Sequence, residues 1–366
     1  METLPLIDDF RAIVRDKRPL IDTRAPIEYA KGSFPGAVNL PLMDDEERAR
    51  VGTTYKQQGN AAAIALGHRL VSGDIKTARI QAWIDFVTQH SDAVLFCWRG
   101  GQRSQIVQEW LHEAGHTVPR LRGGYKAFRS FLIDESVRLA QTKETLVLGG
   151  RTGSGKTLLL HRLENAIDLE KLANHRGSSF GRYATPQPAQ IAFENALAYA
   201  QITHDVAGHR RLILEDESRN IGHRYIPPAL FEIWQNAPVA IVEVPLERRI
   251  AITFEEYVIR AQADYDHAYT DGATPYPWIE VMRHNLTRIR KRLGDERYRR
   301  LSALLETAWD HQLHTGDPAR HRDWIEPLLR EYYDPMYDYQ LERKTERIVF
   351  RGDEQAVMEF LLEENA

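Results

Sequence analysis

The sequence predicts an α/β protein in which two parallel-sheet domains follow one another and a helical, Arg-rich region closes the chain. Three observations carry this. From Met1 to about Glu135, short apolar runs alternate with helical patterns. Near residue 145 a second start of the same kind appears, a strand running into a glycine loop and a helix. After about Thr270 the apolar runs of strand length stop, and long helical segments rich in arginine take over. The implied domains are 1–135, 145–275 and 276–366.

With 366 residues the chain has room for two hydrophobic cores. A hydrophobic fraction of 43% and a charged fraction of 27% are a globular mixture. The net charge of −4 excludes a protein that is basic all over, so any nucleic-acid surface must be a local patch. The N-terminus mixes acids and bases, and no window approaches the ~18 consecutive apolar residues of a membrane span. A cytoplasmic protein with no membrane partner is expected. The one cysteine, Cys97, excludes internal disulfides and a cysteine-rich metal site.

In chain order, Pro19 to Arg24 (PLIDTR) and Ala93 to Trp98 (AVLFCW) read as buried strands that run into functional loops. Tyr55 to Gly73, with its glycines and polar residues, reads as an inserted, substrate-facing loop. Ser104 to Gly115 reads as a helix capped by Ser104, with Ile106, Trp110 and Leu111 on one face. The polar stretch Ser136 to Glu144 separates the two domains. Leu146–Leu148, Leu212–Leu214 and the run from Pro238 supply buried strands of the second domain. Arg347 to Phe350 reads as a late strand before a closing helix.

Between a strand and a helix lies Cys97-Trp98-Arg99-Gly100-Gly101-Gln102-Arg103-Ser104. Gly100 and Gly101 let the backbone wrap around the sulfur, and Arg99, Arg103 and the helix start add positive potential. Such a setting favours a reactive thiolate and cradles an anion. The spacing is C-x5-R, which is also the pattern of cysteine phosphatases.

Gly150-Arg151-Thr152-Gly153-Ser154-Gly155-Lys156-Thr157 fits G-x-x-x-x-G-K-[ST] at every defined position, between an apolar strand and a helix. The loop N–H groups bind phosphate oxygens, Lys156 reaches a terminal phosphate, and Thr157 can ligate Mg²⁺. The motif identifies a phosphate and not a reaction: ATP, GTP and a prenyl diphosphate all fit. Glu215, Asp216 and Glu217 follow a buried strand, the place of an acid that holds Mg²⁺ or acts as a base. Glu247-Arg248-Arg249 either brings arginine toward phosphates or starts an exposed helix. Between Trp278 and Arg300, the cations Arg283, Arg288, Arg290, Lys291 and Arg292 form a candidate RNA contact, with Trp278 and Tyr298 as stacking partners for bases.

The cysteine loop, with IDTRAPIEYAKGSFPGAVNLP (Asp22, Arg24, Glu28 and Pro35-Gly36-Ala37) and LRGGYKAF (Leu121 to Phe128), resembles the rhodanese fold. The usual sulfurtransferase loop is one residue shorter, and the longer one here suits a bulkier anion. The order CWRGGQRS, LRGGYKAF, GGRTGSGKT and LEDES, together with VGTTYKQQG and ALGHRLVSG, resembles the tRNA 2-selenouridine synthase family. The resemblance implies a rhodanese-like domain followed by a P-loop NTPase-like parallel α/β domain. It also implies a two-stage reaction on wobble 2-thiouridine in the tRNAs for Lys, Glu and Gln. The sulfur is first alkylated from geranyl diphosphate, then replaced by selenium from selenophosphate, with no tightly bound cofactor. Cys97 would serve the selenium step and the P-loop the diphosphate step. Other readings of the same residues are a cysteine phosphatase with a nucleotide-binding domain, an ATP-dependent tRNA sulfurtransferase and an RNA-binding adaptor.

Overall fold

A computed structural model describes residues 3–269 and 277–363 of the chain. The boundary expected between 275 and 276 lies outside the described residues. The chain forms two compact units, one of residues 1–139 with 189–207 and one of residues 140–188 with 208–366.

The first unit holds a five-stranded parallel sheet of β1 (Leu6–Ile7), β2 (Leu20–Asp22), β3 (Ala37–Asn39), β4 (Val94–Phe96) and β5 (Arg120–Leu121), in the order β1-β5-β4-β2-β3. Every residue of β2 and β4 is buried, as in strands covered on both faces. Alternation sends Leu20, Val94 and Phe96 toward Phe34 and Phe128, and Ile21 and Leu95 toward Trp83 and Trp110.

Three sequence expectations change here. Tyr55 to Gly73 is not a loop: helices Asp45–Gln58 and Asn60–Leu70 meet at Gly59, whose φ of +86° makes the turn. The alanine-rich run after Asn60 has high helix propensity, and Asp44 and Glu47 form a capping box. Most of Ser136 to Glu144 belongs to helix Gly124–Thr142 and does not form a separating segment. Helix Gln190–Val206 lies within the first unit, where Ala198 and Ile202 join the core around Phe128 and Leu132.

The second unit has its own parallel sheet of β6 (Glu144–Gly149), β7 (Ala166–Ile167), β8 (Arg211–Glu215), β11 (Val239–Val242) and β12 (Ile348–Gly352), ordered β12-β11-β6-β8-β7. A two-stranded antiparallel pair, β9 (Asn220–Ile221) and β10 (Arg224–Tyr225), stands apart from it. Thus the late strand expected at Arg347 to Phe350 is the sheet edge beside β11. Val357, Met358 and Leu361 of helix Glu354–Glu363 pack on Leu146, Ile213 and Ala240. A second core gathers Trp278, Met282, Leu286, Trp309 and Trp324 from the helices that follow. Among the described residues, no helix is long and apolar enough to cross a membrane.

His321 lies in that helical core, fully buried. Trp324 Nε1 donates to its Nδ1 at 2.9 Å, and its Nε2 faces Gln312 Oε1 at 2.8 Å, an arrangement that requires the neutral ring. Burial lowers its pKa to about 4. In the unfolded chain the ring binds a proton from pH ~6.5 downward, whereas the folded protein resists protonation until about pH 4. Stability is therefore complete above pH ~6.5 and is lost as pH falls toward 4. Between pH 7 and pH 5 this group should remove about 2 kcal/mol. Chemical denaturation at the two pH values should show that loss in the native protein and a smaller one in His321→Gln. Equal losses would contradict it.

Candidate active sites

The cysteine loop joins β4 to helix Gln102–Glu113, and its shape is set by a second glycine turn. Tyr125 N–H donates to Cys97 O at 2.8 Å and Lys126 N–H to Trp98 O at 3.0 Å. Gly124 has φ of +62°, and a side chain there would come within 2.1 Å of Gly100 N and 2.4 Å of Cys97 O. Only glycine permits this approach. Arg24 lies beneath the same turn, stacked at 3.9 Å on Tyr125 and paired with Asp22 at 2.6 Å, both groups buried. Removing one partner of such a buried pair costs roughly 3–5 kcal/mol.

Cys97 is buried, and the nearest hydroxyl belongs to Ser104, whose Oγ donates to Sγ at 3.2 Å. Ser104 is therefore not the helix cap. The helix begins earlier, at Gln102 after Gly101, which frees the serine to reach the sulfur from inside the first turn. Arg103 does not stand as a free cation. It is bonded to Glu28 at 2.5 and 3.2 Å. Burial pushes the Glu28 carboxyl up, but Arg103, the Ala25 N–H and Arg48 overcome this and hold it below its usual range. Arg99 is exposed, and Gly100 and Gly101 complete the loop.

The phosphate loop leaves β6 with positive φ at Gly150, Gly153 and Gly155. A side chain at Gly150 would meet Val242 O at 2.7 Å, and one at Gly153 would meet Arg249 O at 2.9 Å. Helix Lys156–Leu160 is one turn and a half long, so loop N–H groups and Lys156 matter more than a helix dipole. Lys156 Nζ donates to Gly150 O at 2.9 Å, folded back over the loop. Ser154 is buried with its Oγ unpaired and lines the cavity above the loop, as does Thr157. Helix Leu246–Phe254 does start exposed at Glu247 and Arg248, whereas Arg249 neither reaches into that cavity nor faces solvent. Its side chain is buried, donates to Thr152 O at 2.9 Å and pairs with Asp334 at 2.6 and 3.1 Å.

The cavity has a volume of about 560 Å³. Lys156, Glu170 and Glu217 line it together with Tyr257, Tyr333 and Tyr337. Two π-helical segments, Glu255–Ile259 and Leu329–Tyr333, deliver Tyr257, Tyr332 and Tyr333, an irregularity frequent at functional sites. Burial works against the Lys156 charge, but Tyr337, Glu170, Glu217 and Asp216 more than offset it and raise its pKa.

Of the three acids after β8, each has a different fate. Glu215 is buried and accepts from Leu169 N–H at 2.8 Å. Asp216 is clasped by Lys344 through both oxygens, at 2.6 and 2.5 Å. Glu217 faces Glu170, and a side chain at Gly177 would fall 2.0 Å from one carboxylate and 2.7 Å from the other. Burial, first of all, together with this mutual repulsion raises Glu170 well above the usual carboxylate range, and burial raises Glu217 too. As they stand these donors fit Lys344 and a shared proton rather than a divalent ion. Glu170 was not legible in the sequence, because no motif surrounds it.

In the Arg-rich stretch, Arg283 is bonded to Glu280 and Glu306, Arg290 to Asp295, and Arg297 and Arg300 to Glu331. Arg288, Lys291 and Arg292 are exposed and have no acid partner among the described residues, and Arg292 borders the phosphate-loop cavity. Trp278 is buried, its Nε1 donating to Tyr257 O at 2.9 Å, so it is not available to stack on a base. Tyr298 lies 5.0 Å from the Arg290 guanidinium.

Residues 143–366 match the family described as tRNA 2-selenouridine synthase AAA domain, and residues 6–131 match the rhodanese-like domain. The expected order, a rhodanese-like domain and then a P-loop-type α/β domain, is the one found. The tRNA 2-selenouridine synthase of Sulfurovum sp. (strain NBC37-1) is 54% identical over 363 residues, covering 99% of this chain and 100% of that one. That of Pseudomonas fluorescens is 50% identical over 353 residues, covering 96% and 97%. A crystal structure of the N-terminal domain of a putative ATP/GTP binding protein from Clostridium difficile 630 is 34% identical over 35% of this chain and 98% of its own, with a TM-score of 0.33.

The glycine contact under Cys97 makes a direct prediction. Gly124→Ala should destabilise the first unit by roughly 2–4 kcal/mol, through strain at a positive φ and a backbone clash. Denaturation followed by tryptophan fluorescence measures it, and native-like stability would contradict the arrangement.

Proposed function

This chain belongs to the tRNA 2-selenouridine synthase family, a family of tRNA-modifying enzymes, and on that footing we propose that it is a transferase working in two steps at two loops. The first step uses the phosphate loop. The sulfur of a wobble 2-thiouridine attacks C1 of geranyl diphosphate, the C–S bond forms as the C–O bond breaks, diphosphate departs, and the N3 proton is released. Loop N–H groups and Lys156 take up the charge that grows on the leaving diphosphate. Tyrosine faces line the path of the chain and stabilise positive charge at the allylic carbon, much as Tyr337 already lies 5.7 Å from the Lys156 ammonium. The carboxyl pair Glu170 and Glu217 accepts the N3 proton.

The second step uses the cysteine loop. Gly100, Gly101 and Arg99 receive selenophosphate beside Cys97. Selenium forms a bond to C2 of the base as the C2–S bond breaks, and the geranyl group leaves with the sulfur as a thiol. Water then cleaves the Se–P bond and releases phosphate. The substrates are the tRNAs for Lys, Glu and Gln in the cytoplasm, with selenophosphate supplied by another enzyme. What supports this reading most is the presence, in one chain of this family, of a complete phosphate loop facing tyrosines and a complete cysteine loop. The phosphatase reading loses ground because Arg103, which would have to clamp a phosphate, is held by Glu28.

Two outcomes test this. Lys156→Ala should lower geranylation of 2-thiouridine tRNA by 100-fold or more, yet still convert preformed S-geranyl tRNA. Cys97→Ala should do the reverse. Mass spectrometry of the nucleosides reads both, and loss of both steps in either variant would contradict the division. Glu170→Gln should slow geranylation by at least ~10-fold. The raised carboxyl pKa means that the native rate falls on acidification sooner than an ordinary carboxylate would dictate, because the base form is lost first. The variant should lack this fall and recover rate toward alkaline pH. An unchanged pH profile would remove the pair from the reaction.

A further inference from the structure

The two helices that replace the expected loop at Tyr55 to Gly73 enclose a second cavity of about 560 Å³ in the first unit. Its walls are of two kinds. Leu42, Met43, Val51, Ala63, Ile64 and Trp110 make an apolar interior, and Arg48, Lys56, His68 and Arg103 bring cationic or polar ends to the same space. Gln102 and Arg103, which open the helix behind the cysteine loop, also line it, so the cavity and the Cys97 loop share a wall.

The charges at this site do not cancel. Glu28 is shared between Arg103 at 2.5 Å and Arg48 at 3.7 Å, one acid for two guanidinium groups. Lys56 has no acid partner among the described residues. Thr53, Tyr55, Asn60 and Gln102 stand with the cations as the polar share of the lining, and the apolar residues, the larger share, offer a bare nucleobase or a free sugar nothing to bond. An apolar chain carried on a phosphodiester backbone satisfies both halves, and the volume lies within the ~300–1,000 Å³ of small-ligand sites.

We propose that this cavity binds the hydrocarbon chain of an S-prenylated nucleotide, with Arg48 and Lys56 on the neighbouring tRNA phosphates, and so presents C2 of the base to the cysteine loop. This rests on the two-step function proposed above and deepens its second step. The prenyl group is absent from the final nucleoside. A site that grips it beside Cys97 makes it a recognition handle, and takes the departing thiol out of water. It also makes the selenium step selective for tRNA that has completed the first step.

The test uses the full-length protein, selenophosphate and two preformed tRNAs, one carrying S-geranyl-2-thiouridine and one carrying S-methyl-2-thiouridine. Native protein should form 2-selenouridine from the geranyl substrate with kcat/KM at least tenfold higher. Ile64→Asp, at a half-buried position in the apolar wall, should lose at least tenfold on the geranyl substrate and little on the methyl one, so the preference collapses. Geranylation of 2-thiouridine tRNA by the same preparation reports that the variant is folded. Equal use of both tRNAs by native protein, or an undiminished preference in Ile64→Asp, overturns the proposal while leaving the two-step function standing. No 2-selenouridine from either tRNA overturns the selenium step and this proposal with it.

Discussion

Gly100 and Gly124 pack backbone against backbone, and the position of Cys97 follows from that contact. The shape of the cysteine loop comes from outside it. Here it comes from the glycine turn at 123–124, whose following residues donate to the carbonyls of Cys97 and Trp98. The buried pair of Arg24 and Asp22 fixes Tyr125, and through it the turn. Cys97 and Ser104 then meet at 3.2 Å.

The phosphate loop meets the same requirement with different parts. Its glycines approach the carbonyls of Val242 and Arg249 too closely for any side chain, and Arg249 ties Thr152 to Asp334. The helices after residue 276 are thus part of the site rather than an addition to it. They bring Asp334 to the loop, Lys344 to Asp216, and Tyr332, Tyr333 and Tyr337 to the cavity. The cavity so formed brings Lys156 and the loop together with Tyr257, Tyr333 and Tyr337, the parts that the proposed diphosphate step calls on.

Much of this was legible beforehand, for physical reasons. Strands buried on both faces are largely apolar, so β2, β4, β6, β8 and β11 stood out as runs, with polar residues such as Asp22 and Glu215 at their ends. Glycines at forced positive φ cluster into motifs, which is why both loops could be located to the residue. What stayed hidden depends on partners far apart in the chain. Glu170 gains its meaning only opposite Glu217, and Arg249 only beside Asp334. The Arg-rich stretch looked basic because acids elsewhere, Glu306 and Glu331 among them, could not be matched to it. The helices enclosing the first unit's cavity read as a loop because glycine and polar residues weighed more than the alanine-rich propensity between them.

Two loops held rigid from outside, each beside its own cavity, suit a chemistry in which one atom is activated in one place and exchanged in another. The most direct test is to give the purified protein 2-thiouridine tRNA and geranyl diphosphate, first without and then with selenophosphate, and to weigh the nucleosides. Two loops with separate tasks predict an S-geranyl adduct in the first case and 2-selenouridine in the second. An unmodified 2-thiouridine in both, with tRNA and donors intact, would contradict them.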